Sequence, residues 1–107
     1  MKLTRSLVVL TATALLSVPA IFAQGPAAGL YSSKCAMCHG SDGKASTPVA
    51  KMMGVPSFDS AASKKKTDAA LAAIIEGGKG KMPAYKSQLS ATQVKELVAY
   101  IRTLQKK

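Results

Sequence analysis

The chain has 107 residues, 15 Lys and Arg against 5 Asp and Glu, a formal net charge of +10, 48% hydrophobic residues and no Trp. That length allows one small domain and excludes a two-domain enzyme. Eight Gly and five Pro are close to ordinary usage, so the chain is neither collagenous nor low-complexity.

In chain order, Lys2 and Arg5 come first and precede an apolar stretch, Leu7 to Leu16, diluted only by Thr11 and Thr13. Pro19 breaks the stretch, and Ala20-Ile21-Phe22-Ala23 ends on a small residue before Gln24. This is the layout of a secretory signal peptide, with cleavage expected after Ala23. The rival is an uncleaved anchor, but the uncharged run from Ser6 to Ala23 is 18 residues, at the edge of spanning length, and contains Pro19. The expected division is therefore 1–23 as signal peptide and 24–107 as the folded domain. The domain is expected outside the cytoplasm, in a bacterial periplasm, with no stable membrane insertion after cleavage. Removing residues 1–23 leaves 84 of the 107 and takes two positive charges away, from +10 to +8. So short a chain with five aromatic residues needs a staple or a cofactor to complete its core. A basic protein in that compartment never meets a genome, which removes nucleic acid as a partner.

Gly25-Pro26 is expected to open a first helix, with Pro26 near a favoured first-turn position. It runs through Ala27, Leu30 and Tyr31 into Lys34-Cys35 and carries its apolar face to the next motif. Both cysteines and the single histidine of the chain fall in five consecutive residues, Cys35-Ala36-Met37-Cys38-His39. C-x-x-C-H is the attachment signature of c-type haem. Each thiol adds to one haem vinyl group to form a thioether, and the His beside the second Cys faces the iron from the proximal side. A zinc site asks for about four ligands and would be one short. A thioredoxin-like dithiol asks for a βαβ context, which this sequence lacks. A structural disulfide has no use for the adjacent His.

Gly40-Ser41-Asp42-Gly43-Lys44 is a turn cluster, and Pro48 is expected in a loop. Val49 to Gly54 reads as a short helix carrying Met52 and Met53. Between Ser57 and Lys66 no element is assigned, and Lys64-Lys65-Lys66 reads as a solvated face. Thr67 or Asp68 caps a helix over Ala69 to Glu76, ended by Gly77, with Leu71, Ile74 and Ile75 on one face. Gly77-Gly78-Lys79-Gly80-Lys81-Met82-Pro83 follows as a loop. Ser90 with Gln93 forms a capping box, opening a last helix whose apolar stripe is Val94, Leu97, Val98, Ile101 and Leu104, flanked by Tyr100.

With His39 the only His, the second axial ligand of the iron falls to a methionine. Met37 sits between the cysteines, on the wrong side of the macrocycle. Met52 and Met53 follow His39 closely and read equally well as apolar packing. Met82 is framed by glycines that allow close backbone approach and by Pro83, which biases it to an extended conformation. Met82 is therefore the expected axial partner of His39.

These residues carry a resemblance. Cys35-Ala36-Met37-Cys38-His39-Gly40, Lys81-Met82-Pro83-Ala84-Tyr85 and the final Leu97-Val98-Ala99-Tyr100-Ile101, in that order, make the chain similar to the small class I c-type cytochromes over its mature length. The resemblance implies an all-α cytochrome c fold of three to five short helices around one covalent haem c. It also implies that the first and last helices cross, with Ala27 and Tyr31 meeting Leu97 and Tyr100. It further implies that the Pro48 carbonyl accepts the His39 ring N–H.

The function expected from this set is a soluble, monomeric single-electron carrier with its iron held by His39 and Met82, and not an enzyme. Asp42, Asp59, Asp68, Glu76 and Glu96 are scattered singly, so no acid–base pair is available. Lys79, Lys81 and Lys86 flank the Met82 loop and are expected to steer an acidic redox partner, although net charge alone serves solubility equally well. Two alternatives stay open: an electron-transfer subunit of a larger oxidoreductase, and a gas or redox sensor in which Met82 dissociates.

Overall fold

A computed structural model describes Thr11 and residues 21–107. The expected signal peptide, residues 1–23, lies almost wholly outside the described residues. Among the described residues there are six helices and one isolated β-bridge, Lys79 to Met82. The helices are α1 (Ile21–Lys34), α2 (Ala36–His39), α3 (Pro48–Met53), α4 (Ala61–Lys65), α5 (Asp68–Gly77) and α6 (Ala91–Leu104). No helix among them is long and apolar enough to cross a membrane.

The last helix forms as its sequence predicts. The Ser90 side chain accepts from the Gln93 N–H while Gln93 Oε1 accepts from the Ser90 N–H, at 3.1 and 2.8 Å. That reciprocal pair satisfies two amides a helix start otherwise leaves open. Val94, Leu97, Val98, Ile101 and Leu104 are all buried, leaving the intervening polar positions to solvent. Each such burial stabilises by about 1.5–3 kcal/mol relative to exposure. Thr47, Ser60 and Thr67 cap α3, α4 and α5 in the same way, each accepting from an amide three residues on. For α5, Thr67 is thus the cap and Asp68 the first helical residue.

α1 packs on α6, α5 packs on α6, and α2 is held between α1 and α3. Where α1 meets α6, the Tyr31 and Tyr100 rings lie 5.0 Å apart between centroids, tilted by 49°. Tyr31 and Leu97 are fully buried and Ala27 nearly so, which gives the expected crossing of first and last helices.

The structure departs from the sequence reading in four places. Helix α1 begins at Ile21, upstream of Gly25-Pro26, and holds Pro26 inside it. The missing N–H of Pro26 leaves the carbonyl of Phe22 without its helical donor. Pro48 is the first residue of α3 rather than a loop residue, because a proline suits the first turn once Thr47 supplies the cap. The unassigned 57–66 segment contains α4, too short for any periodicity to reveal. Gly77 is still helical, and Gly78, at φ 74°, ends α5. The short α2 and α4 are what bring the number of helices to six.

Candidate functional site

The Cys-x-x-Cys-His turn is fixed by its own backbone. The His39 N–H donates to the Cys35 carbonyl at 2.9 Å, and the Gly40 N–H to the Ala36 carbonyl at 2.8 Å. The Cys35 N–H still donates to the Tyr31 carbonyl at 2.9 Å, so the helical bonding runs from α1 through Cys35 into α2, and the two thiols and the imidazole emerge from one tight turn. The next carbonyl, of Gly40, accepts a 2.6 Å bond from the buried Tyr31 hydroxyl. Helix α1 thereby holds the motif at both ends.

The Met82 segment is built as a narrow loop. Lys79 and Met82 exchange backbone hydrogen bonds of 3.1 and 2.9 Å, with Gly80 in the left-handed region at φ 58° between them. Met82 is extended and outside any helix, as Pro83 after it favours. The Tyr85 N–H donates to the Ile75 carbonyl at 3.0 Å, and the Tyr85 hydroxyl donates to the Lys34 carbonyl at 3.1 Å. The loop is thus tied both to α5 and to the residue next to Cys35.

Between these two segments lies a cavity of about 470 Å³, within the range of small-molecule and cofactor sites. Cys35, Cys38, His39 and Met82 all line it. So do the core residues Tyr31, Leu71, Ile75, Leu89, Leu97 and Ile101, which sets the cavity directly against the hydrophobic core, with exposed Lys79 and Lys81 at its mouth. Met53 also reaches the lining, whereas Met37 and Met52 are 76% and 82% exposed. Only Met53 and Met82 among the four described methionines therefore share the cavity with His39.

Burial sets the electrostatics. Desolvation lowers the pKa of His39 below its ordinary value, which favours the neutral imidazole a metal needs. Desolvation also raises the Cys35 thiol, against the lowering field of Lys34. The His39 ring stacks on Phe58, with centroids 4.4 Å apart and 15° between planes. Its Nδ1 is buried with no hydrogen-bond partner. The expected bond from His39 to the Pro48 carbonyl is thus not formed, since Pro48 opens α3 and its carbonyl points along that helix.

Sequence reasoning missed Phe58 as the contact of His39, and missed Lys34 and Lys66 on the cavity lining beside Lys79 and Lys81. Phe58 sits in an irregular segment where no pattern marks it. Lys66 ends a lysine triplet whose members only the turn of α4 separates. Lys86 does not reach the lining.

Two adjacent thiols, a neutral imidazole and a thioether around a largely apolar cavity fit a covalently anchored iron porphyrin. The Cys-x-x-Cys-His turn and the helical frame are those of a small c-type cytochrome. The chain belongs to the family described as Cytochrome C oxidase, cbb3-type, subunit III, which matches residues 23–101. Among solved structures it is similar to the KustC0563 c-type cytochrome, at 30% identity and a TM-score of 0.68, over 74% of this chain and 96% of that one. No curated protein matches the chain. The protein is thus an all-α monohaem cytochrome c carrying covalent haem c, and it serves haem-based electron transport. The family points to an electron carrier rather than an enzyme and to redox partners in general, and c-type cytochromes of this kind are typically extracytoplasmic.

Proposed function

We propose that the protein is a soluble, monomeric, non-enzymatic shuttle passing one electron at a time between periplasmic redox proteins. Cys35 and Cys38 form the two thioethers, His39 is the proximal ligand and Met82 the distal one. The observation that supports this most is that His39 and Met82, 43 residues apart, line one cavity whose walls are otherwise mostly core hydrophobics. When bound, haem c supplies the one-electron couple between ferric and ferrous iron. Two side-chain ligands leave no coordination position for a substrate. Leu71, Ile75, Leu97 and Ile101 wall the inner side of the cavity with apolar surface, and with a Met/His ligand pair such surroundings favour the less charged ferrous state.

Residues 1–23 act as a removable signal peptide in this reading. In a chain beginning at Gln24, Pro26 falls in the first turn of α1, where its missing N–H is no loss. Lys79 and Lys81, both exposed and both on the cavity rim, steer an acidic partner, with Lys86 just beyond.

Visible spectra of the purified protein, ferric and ferrous, with and without carbon monoxide, test the assignment. Sharp low-spin ferrous bands, a Met–iron charge-transfer band in the ferric form and indifference to carbon monoxide are expected. Met82→Ala should abolish the charge-transfer band and admit carbon monoxide, whereas Met53→Leu should do neither. Ready carbon monoxide binding by the parent protein would replace the carrier by a sensor, and absence of covalently retained haem would remove the whole reading.

One observation favours a second reading, a subunit of a larger oxidoreductase. Met37 and Met52 form exposed apolar surface on the neighbouring helices α2 and α3, beside the Cys-x-x-Cys-His turn. Size-exclusion of the protein from a native extract separates the two. Elution at the monomer position supports the shuttle, and stable co-migration with an oxidoreductase supports the subunit.

A further inference from the structure

The cavity lining is electrostatically one-sided. It includes four lysines, Lys34, Lys66, Lys79 and Lys81, and no Asp or Glu. A purely apolar occupant would gain nothing from such a lining. Haem carries two carboxylates, the propionates, on the edge of the macrocycle across from its vinyl groups. In a protein that attaches haem through Cys35 and Cys38, the carboxylates therefore point away from the α1–α2 turn.

One of the four lysines is committed elsewhere and two are exposed on the rim. Lys34 is next to Cys35, on the vinyl side, and its Nζ donates to Gln88 Oε1 at 3.1 Å. Lys79 and Lys81 bracket the Met82 loop and are exposed. Lys66 differs from Lys34 in having no side-chain partner among the described residues, and from Lys79 and Lys81 in being half-buried. It follows α4, the one described helix that packs against no other helix, so the inner side of α4 meets the cavity. Ser63 and Lys66, three residues apart, both line the cavity, whereas Lys64 and Lys65 are exposed. Ser63 is buried and satisfied, its hydroxyl donating to the Ser57 carbonyl at 3.1 Å. The Lys66 side chain is half-buried, and its ammonium makes no hydrogen bond or ion pair among the described residues.

The backbone of Lys66 is clamped. Arg102 Nη2 donates to the Lys66 carbonyl, and Arg102 Nε donates to Asp68 Oδ1 at 2.9 Å, tying α6 to the junction of α4 and α5. Arg102 has its donors engaged on Lys66, Asp68 and Gln105. A half-buried lysine held at a fixed backbone position, aimed at an apolar cavity and given no protein partner, calls for an anion from the cavity's occupant.

We infer that Lys66 is the cation that receives a haem propionate. This rests on the proposed haem site and adds to it the residue that orients the carboxylate edge. An ammonium beside a carboxylate holds its pKa down by about one unit or more. Of the other groups on the lining, Lys34, Lys79 and Lys81 carry the same sign of charge as Lys66, Cys35, Cys38 and His39 are taken up by the haem itself, and the Tyr31 and Tyr85 phenols are neutral at the pH where a propionate titrates.

The test is the reduction potential of the haem-loaded protein as a function of pH, for the parent, Lys66→Gln, Lys66→Arg and the exposed control Lys64→Gln. The inflection that marks propionate ionisation should move up by about one pH unit in Lys66→Gln, a tenfold change in proton affinity. It should stay near the parent value in Lys66→Arg and in Lys64→Gln. An unmoved inflection in Lys66→Gln, or an equal shift in Lys64→Gln, overturns the assignment while leaving the haem site standing. Failure of the parent to retain covalent haem, read by mass, overturns the haem site itself. Thermal melts of the four proteins separate a loss of fold from a loss of the ion pair.

Discussion

Replacing Gly78 by Ala should release Met82. Gly78 ends α5 at φ 74° and ψ 172°, a backbone conformation essentially reserved for glycine that costs a residue with a Cβ about 1–3 kcal/mol. A Cβ there would stand 2.6 Å from the Met82 carbonyl oxygen, 3.0 Å from the Ala84 nitrogen and 3.1 Å from the Pro83 carbonyl carbon. All three are backbone atoms, so relief requires moving the loop by about 0.8 Å to reach the 3.4 Å of ordinary contact. That displacement breaks the paired 3.1 and 2.9 Å bonds between Lys79 and Met82, each worth about 0.5–1.5 kcal/mol net. The combined loss is about 2–6 kcal/mol, a large share of a small domain's stability. Gly80→Ala is the control. Gly80 is left-handed, at φ 58°, but a Cβ there meets nothing within 4 Å, so it loses only the backbone cost of about 1–2 kcal/mol. Urea unfolding of both variants, with the ferric Met–iron band followed in parallel, reads the difference. Equal losses in the two variants, or an intact band in Gly78→Ala, would refute the reasoning.

Tyr31→Phe should destabilise by about 1–2 kcal/mol, because the buried Gly40 carbonyl loses its 2.6 Å donor. Burial first, then the fields of Cys35, Tyr100 and Asp42, hold the Tyr31 phenol protonated well above its ordinary pKa of 10. Above pH 10 the unfolded chain therefore binds fewer protons than the folded one, stability falls as pH rises, and Tyr31→Phe should flatten that fall in a pH series of unfolding curves. Ser90→Ala should cost about 1 kcal/mol in thermal unfolding, since the Gln93 amide loses its acceptor at the start of α6. Electron transfer with an acidic partner should slow as ionic strength rises, and the double change Lys79→Glu with Lys81→Glu should remove that dependence in stopped-flow kinetics; a parent rate indifferent to salt would reject the docking face.

What could be read from the residues alone were the features with a short range. The five-residue Cys35–His39 motif names its cofactor by covalent chemistry, which needs only adjacent side chains. Helix α6 is legible because its capping box and its stripe from Val94 to Leu104 lie within one element. The all-α class follows from the same periodicity. Met82 was picked out by its Gly and Pro frame, and the structure brings it to the cavity through the Lys79 bridge and the two anchors of Tyr85.

The rest depended on contacts between residues distant in sequence. That Met53, 36% exposed, reaches the cavity while adjacent Met52, 82% exposed, does not is decided by the rotation of α3 about its axis, which Thr47 and Gly54 set at its two ends. Phe58 against His39 and Arg102 against the Lys66 carbonyl join segments 19 and 36 positions apart, with no periodic signature in either. The Lys64-Lys65-Lys66 run shows the division most plainly. Composition makes the three lysines equivalent, but a single helical turn capped by Ser60 sends two into solvent and one to the cavity. Sequence fixes which charges a segment carries, whereas their direction depends on how the backbone is anchored from outside the segment, and here that anchor is Arg102 on α6.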